Sequence, residues 1–336
     1  MRKQILLTSG TTAAALALFA LAATVQSPAE ADAAPTATVR SAAESGAGLT
    51  PVYPYDVTDT SHASRQAAAF FRSYFTAKTL RNVDAFMNHF RPSQTAYYDA
   101  TLGWGSTSYA QLKGGLPQTM AAWGKDGKAY PVRIVGDTHG AVVEFTDTKP
   151  LFGDEIRGIA AVDFRDGKIV RQADYWDGRH NTVANGKAPA DQYPTDLGAT
   201  AVKENSAPAI ERAARMLNAA LAADNPQAAA ALFSTDATFE DAATRTSVQG
   251  QLAIGRYLER ALPNLPYGPG TTVRHVLGSS KGGGYEWKTS ATAVRNGITM
   301  LELDRHGLIT NLTTTWDASG LSDSALKTLA TLAIEN

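Results

Sequence analysis

Apolar residues recur at helical spacing in SHASRQAAAFFRSYFTAK, where Ala67, Phe70, Phe71, Tyr74 and Phe75 share one face and Ser61 or Ser64 can serve as N-cap. This pattern predicts an amphipathic helix. Residues 82–90 read as a second, shorter helix, SQTAYYDA as a short strand, and residues 107–123 as a third helix broken at Gly114, Gly115 and Pro117. The period then changes. YPVRIVGD, GAVVEFTD, IRGIAAVDF and KIVRQADYW read as strands, joined by the turn signals Asp137-Thr138-His139-Gly140 and Arg165-Asp166-Gly167. Helices followed by an antiparallel meander define an α+β module.

A stretch of loop character at 181–205 reads as a linker, and after it the same order returns. Residues 207–223 form an amphipathic helix pattern, 226–233 a short second helix, ATFEDA a strand, and 251–262 a third helix. TTVRHVLG, GYEWKTSATAV, ITMLELD and LITNLTTTW complete a second meander, and 322–334 add a closing helix without a counterpart. Individual residues also recur, at an offset of about 141. Asp99-Ala100 answers Asp241-Ala242, Val132-Arg133 answers Val273-Arg274, Glu144 answers Glu286, Gly167 answers Gly307, and Trp176-Asp177 answers Trp316-Asp317. Five landmarks in one order point to an internal duplication. The expected organisation is a first domain at 61–180, the linker at 181–205 and a second domain with its extra helix at 206–336.

The ends of the chain and its composition narrow the setting. Arg2 and Lys3 precede a long apolar run that closes in A-x-A sites near Ala31 and Ala33, the pattern of a secretory signal peptide at 1–34. A flexible Ala/Ser/Thr/Gly/Pro lead-in is expected at 35–60. The reading is a secreted protein with no membrane association after cleavage. The chain of 336 residues has no cysteine, so two packed cores and no disulfides must hold it. A charged fraction of 19% and a net charge of -1 argue against nucleic acid as a partner.

The ordered motifs resemble the SnoaL-like branch of the nuclear transport factor 2-like superfamily. They are Phe90, Tyr97-Tyr98-Asp99, Val162 through Ile169 and Tyr175-Trp176-Asp177, and in the second copy Phe233, Phe239-Glu240-Asp241, Leu303 through Ile309 and Trp316-Asp317. The second copy departs where His-Gly-Leu replaces Asp-Gly-Lys. The resemblance implies two cone-shaped modules, each with three N-terminal helices packed on a curved antiparallel sheet around a pocket. The superfamily includes ketosteroid isomerases, dehydratases, epoxide hydrolases and polyketide cyclases beside modules that only bind, so fold leaves function open. Such modules commonly pair through their open sheet faces, and a tandem chain can supply both partners. An intramolecular pseudodimer, monomeric in solution, is therefore expected.

Resemblance to the isomerases implies Asp99 and Asp241 as general bases, since partial desolvation makes a carboxylate a better base. The same aspartates are equally at home as turn caps. Tyr74 is the expected oxyanion donor, although the second module offers Met216 and Leu217 at the corresponding place. His275 stands where its sibling strand has Ile134 and could pair with Asp241, or could be a satisfied core histidine. Tyr98, Trp104, Tyr109, Glu144, Glu286, Asp177 and Asp317 are further candidates for a ligand-binding wall. Strand alternation places Trp176 and Asp177 on opposite sides, as it does Trp316 and Asp317. No metal or nucleotide motif appears, and no cofactor is expected. Two functions follow: binding of a small apolar molecule or a partner without catalysis, or cofactor-independent isomerase, cyclase or dehydratase chemistry on a carbonyl compound.

Overall fold

The computed structural model describes residues 58–290 and 292–334. The expected signal peptide and most of the lead-in lie outside the described residues. In the first half α1 (Arg65–Thr79) starts where the Ser64 hydroxyl accepts from the Ala67 N–H at 3.1 Å, and buries Phe70, Phe71, Tyr74 and Phe75. After it come α2 (Val83–Met87), β1 (Ala96–Asp99), β2 (Trp104–Ser106), α3 (Tyr109–Ala122), β3 (Ala129–Gly136), β4 (Gly140–Asp147), α4 (Lys149–Phe152), β5 (Ile156–Arg165) and β6 (Lys168–Trp176). The second half contains α5 (Pro208–Ala222), α6 (Pro226–Ala230), β7 (Phe233–Asp241), β8 (Thr246–Gln249), α7 (Gln251–Ala261), β9 (Thr271–Ser279), β10 (Gly282–Thr289), β11 (Asn296–Leu303), β12 (Ile309–Trp316) and α8 (Asp323–Thr331).

Two six-stranded sheets result, in the orders β2-β1-β6-β5-β4-β3 and β8-β7-β12-β11-β10-β9. Each is an antiparallel meander extended by a strand that lies parallel to the last one, β1 on β6 and β7 on β12. The architecture is α+β as expected, with several corrections. Strands β2 and β8 are too short and too poor in apolar residues to show a period. The third helix is not broken: α3 runs through Gly114, Gly115 and Pro117 with Leu112, Leu116 and Met120 buried, so packing of its apolar face overrides its breakers. Phe233 belongs to β7, which begins ahead of ATFEDA, and α4 was not foreseen. Ahead of Ser61, Asp59 already exchanges hydrogen bonds with Val132 and Ile134 of β3.

Alternation along β6 divides its side chains between two layers. Gln172, Asp174 and Trp176 point toward the helices, while Arg171, Ala173 and Tyr175 point toward the second sheet. Three buried clusters follow from this arrangement. One lies under the helices of each half, and the third joins Val135, Val142, Ile159 and Tyr175 of the first sheet to Leu277, Ile298 and Met300 of the second. Glycines let the sheets approach: a Cβ on Gly140 would stand 3.0 Å from the Leu277 Cβ, and one on Gly282 would stand 2.9 Å from the Val135 Cγ1. The segment at 181–205 packs against both halves. It buries Leu197 completely, forms 3-10 turns at Thr182–Gly186 and Ala199–Ala201, and delivers Glu204 to the Val276 N–H at 3.0 Å.

The doubled Trp-Asp has a structural meaning at this junction. The Asp177 carboxylate accepts from the Ala318 N–H at 3.3 Å, and the Asp317 carboxylate accepts from the Gly178 N–H at 3.2 Å. Each aspartate thus caps the backbone just beyond the other. Asp317 also accepts from the Ser319 N–H and pairs with Lys187. Asp317→Ala is expected to cost about 1–2 kcal/mol in denaturant unfolding, as for loss of a cap with a charged acceptor.

Candidate functional site

The strand-end aspartates come first, because the architecture brings each to the tryptophan of its own half. Strand β1 runs parallel to β6 with Asp99 opposite Asp174, so Trp176, two residues on and on the same face, reaches back to it. The Trp176 indole N–H donates to Asp99 Oδ2 at 2.9 Å, and the N–H groups of Thr101 and Leu102 donate to Oδ1 at 2.9 and 2.8 Å. The second half repeats this with Asp241, which is fully buried. Oδ1 accepts from Ala243 and Thr244 N–H at 2.9 and 3.0 Å, and Oδ2 from the Tyr267 hydroxyl and Trp316 indole at 2.9 and 3.2 Å. Burial pushes the Asp99 carboxyl up to about 7 against the pull of its hydrogen bonds, with the neighbouring Asp174 charge adding to the rise. Burial raises Asp241 as well, opposed by its four donors.

Tyr74 is not within hydrogen-bonding reach of Asp99. Its hydroxyl donates to Gln172 Oε1 at 3.1 Å, the Gln172 amide donates to Asp174 Oδ1 at 2.8 Å, and the Tyr97 hydroxyl donates to Asp174 Oδ2. Its ring packs among Phe71, Phe75, Phe86, His89 and Phe90. The interior of the first half is therefore an aromatic core that carries this buried polar line and, near it, the buried Lys78–Asp147 pair at 2.9 Å. Gln172 and Asp174 are not among the residues that the sequence motifs single out. Their signal was present in KIVRQADYW, where polar residues fall on both faces of an otherwise apolar strand. The second half has Leu312 and Thr314 at these places, and its core includes Phe239, Tyr257, Tyr267, Trp287 and Trp316.

His275 meets a carboxylate other than Asp241. Its Nε2 lies 2.7 Å from Asp163 Oδ1, across the junction between the sheets. Arg171, fully buried, sits beside this pair. It donates to Asp163 Oδ2 at 3.0 Å, to both oxygens of Glu286 at 2.8 and 2.7 Å, and to the Leu197 carbonyl at 2.7 Å. Tyr175 donates to Glu286 and accepts from Arg274 at 2.9 Å. Burial favours neutral imidazole at His275, but the bond to Asp163 outweighs it and raises the histidine. Burial likewise works to raise Asp163, yet His275 and Arg171 hold it below its ordinary value. Glu286 thus faces the junction and not an enclosed pocket. Glu144 lies on the same side, within 3.8 Å of Arg133.

The remaining candidates are dispersed. Tyr98 packs on the junction side against Gly198, Trp104 donates its indole N–H to the Gly186 carbonyl, and Tyr109 opens α3 against the first core. Clefts open at the surface among the described residues. One of about 430 Å³ lies between Thr138, His139, Arg165, Asp166, Lys203 and Asn205, and one of about 180 Å³ between the Ala100–Leu102 turn, Lys187, Tyr193 and Arg295. Both have mixed polar walls. Among the described residues, no group of three His, Cys, Asp or Glu side chains is placed to hold a metal ion, and no helix is long and apolar enough to cross a membrane.

No family model matches the chain, and no curated protein matches it. Over part of its length it is similar to solved structures. A steroid delta-isomerase from Pseudomonas aeruginosa is 14% identical, over 39% of this chain and 93% of that one, with a TM-score of 0.30. A protein with a ketosteroid isomerase-like fold from Catenulispora acidiphila is 19% identical over 36% and 94%, with a TM-score of 0.29. An NTF-2 like protein of unknown function from Burkholderia xenovorans is 18% identical over 32% and 83%, with a TM-score of 0.27. Similarity at this level assigns no role to any residue.

Proposed function

We propose that this is an exported protein of two SnoaL-like modules duplicated in tandem and paired as an intramolecular pseudodimer, which binds a partner or small molecule without catalysis. The observation that carries the noncatalytic reading is the engagement of both strand-end aspartates. Each holds the turn that follows it and the tryptophan of the last strand, a structural task that needs no substrate. Aromatic side chains occupy both interiors, which favours a partner or ligand at the exterior clefts over an apolar molecule enclosed in a cone. The pairing is supported by the matching strand orders, by the shared third cluster and by the reciprocal caps of Asp177 and Asp317. A single tumbling body of monomer mass in NMR relaxation is the expected result; two independently tumbling halves would remove the pseudodimer.

One observation favours the second reading, an isomerase or cyclase that uses Asp99. A carboxyl pushed up to about 7, next to the Asp174–Tyr97 pair, has the basicity that proton abstraction beside a carbonyl requires. Exchange of α-protons in a panel of enolisable ketones decides between the two. Wild type and Asp99→Asn are expected to match the buffer rate. Exchange that is fast in wild type, lost in Asp99→Asn and rising with pH through about 7 would establish catalysis instead.

A further inference from the structure

The two ends of the junction follow one plan but carry different charges. At one end Asp163 on β5 stands opposite Arg171 on β6, and Arg171 reaches Glu286 on the other sheet. At the other end Glu302 on β11 stands opposite Asn311 on β12, and Glu144 reaches in from the other sheet. A neutral amide thus occupies the place of the guanidinium. Arg133 of β3 is left to serve three carboxylates: Glu302 at 3.5 Å, Glu144 at 3.8 Å and Glu240 of β7 at 3.9 Å. His62 adds a contact to Glu302 at 3.5 Å, while Asp59 and the more remote Arg157 complete the charged surroundings. Glu302 Oε1 and Glu144 Oε2 are buried and accept no hydrogen bond.

We propose that this end of the junction holds a proton where the other end holds an arginine, so that contact between the sheets tightens on acidification and loosens as the proton leaves. The proposal rests on the paired-module reading above. Burial raises both Glu302 and Glu144; Arg133 opposes the rise and the neighbouring carboxylates add to it. A carboxyl raised by folding binds more protons folded than unfolded. Its contribution is therefore fully present below the ordinary carboxylate range and is lost as pH climbs through the raised value. His275 acts in the same direction, being raised by its Asp163 bond. Asp59 is held below its ordinary value, despite burial, by Ser61 and Arg133, so it stays ionised and keeps the region acidic.

The test compares wild type with Glu302→Gln and Asn311→Arg, by denaturant unfolding between pH 4.5 and 8.5 and by carbon-detected titration of the Glu302 carboxyl. One proton fully released changes the folding constant about tenfold per pH unit. Both variants are expected to lose up to that much of the wild-type slope, Glu302→Gln by removing the acid and Asn311→Arg by replacing the proton with a fixed charge. Amide exchange in β3, β4, β9 and β10 should speed up with pH beyond its ordinary base catalysis in wild type only. A Glu302 carboxyl titrating at or below about 4.3, or an unchanged slope in both variants, would overturn the proton. Independent tumbling of the halves at every pH would instead overturn the pairing, so the two failures are distinguishable.

Discussion

Arg171→Met is expected to lower stability by about 3–5 kcal/mol, read as a drop in the denaturant midpoint with an unchanged slope. The guanidinium is wholly buried and spends its donors on Asp163, Glu286 and the Leu197 carbonyl, so it ties together the first sheet, the second sheet and the connecting strap. Truncation leaves Glu286 in the junction with only the Tyr175 hydroxyl, and Asp163 with only His275. Uncompensated charge, more than lost attraction, sets the magnitude. The double variant Arg171→Met with Glu286→Leu should recover part of the loss, because the stranded carboxylate is gone. A single-variant cost below about 1 kcal/mol would mean that water reaches the pair and that the junction is open in solution.

Asp241→Ala should cost a comparable amount, about 3–5 kcal/mol, and more than Asp99→Ala. Asp241 is fully buried and serves two backbone N–H groups, a tyrosine hydroxyl and an indole N–H. Each buried donor left without an acceptor costs about 1–3 kcal/mol, moderated where water can enter the gap. Asp99 has three donors and is half-buried, so its loss is cushioned. Thermal and denaturant unfolding of the two variants, side by side, checks the order. Aspartates retained for chemistry alone would leave stability nearly unchanged or improved on replacement, and that outcome would count against their role as caps.

The repeat of helices and meanders was legible because amphipathic period and turn chemistry are local properties. Phe70, Phe71, Tyr74 and Phe75 mark the buried face of α1 without reference to any partner. The tight turn at Asp166-Gly167 is likewise readable, since both residues take positive φ as a two-residue hairpin requires. The corresponding turn of the second half is wider, with Asp304 accepting from the His306 and Leu308 N–H groups and Gly307 at positive φ. Strands β2 and β8 were not legible, being pinned by pairing with β1 and β7 and not by a pattern of their own.

The chemistry divides along the same line. The recurring motifs were enough to match Asp99 with Asp241, Glu144 with Glu286, and one Trp-Asp pair with the other, because element order and spacing are local properties, and the two sheets place the strand-end aspartates at corresponding positions. Which groups those side chains meet was decided by tertiary structure. His275 joins Asp163 and not Asp241, Trp176 and not Asp177 reaches the strand-end carboxylate, and Arg171 of one sheet neutralises Glu286 of the other. The reason is geometric. A strand's period fixes the face on which a residue lies, but the partner on that face comes from another strand, here 77 to 115 residues away, and nothing local encodes which group waits there.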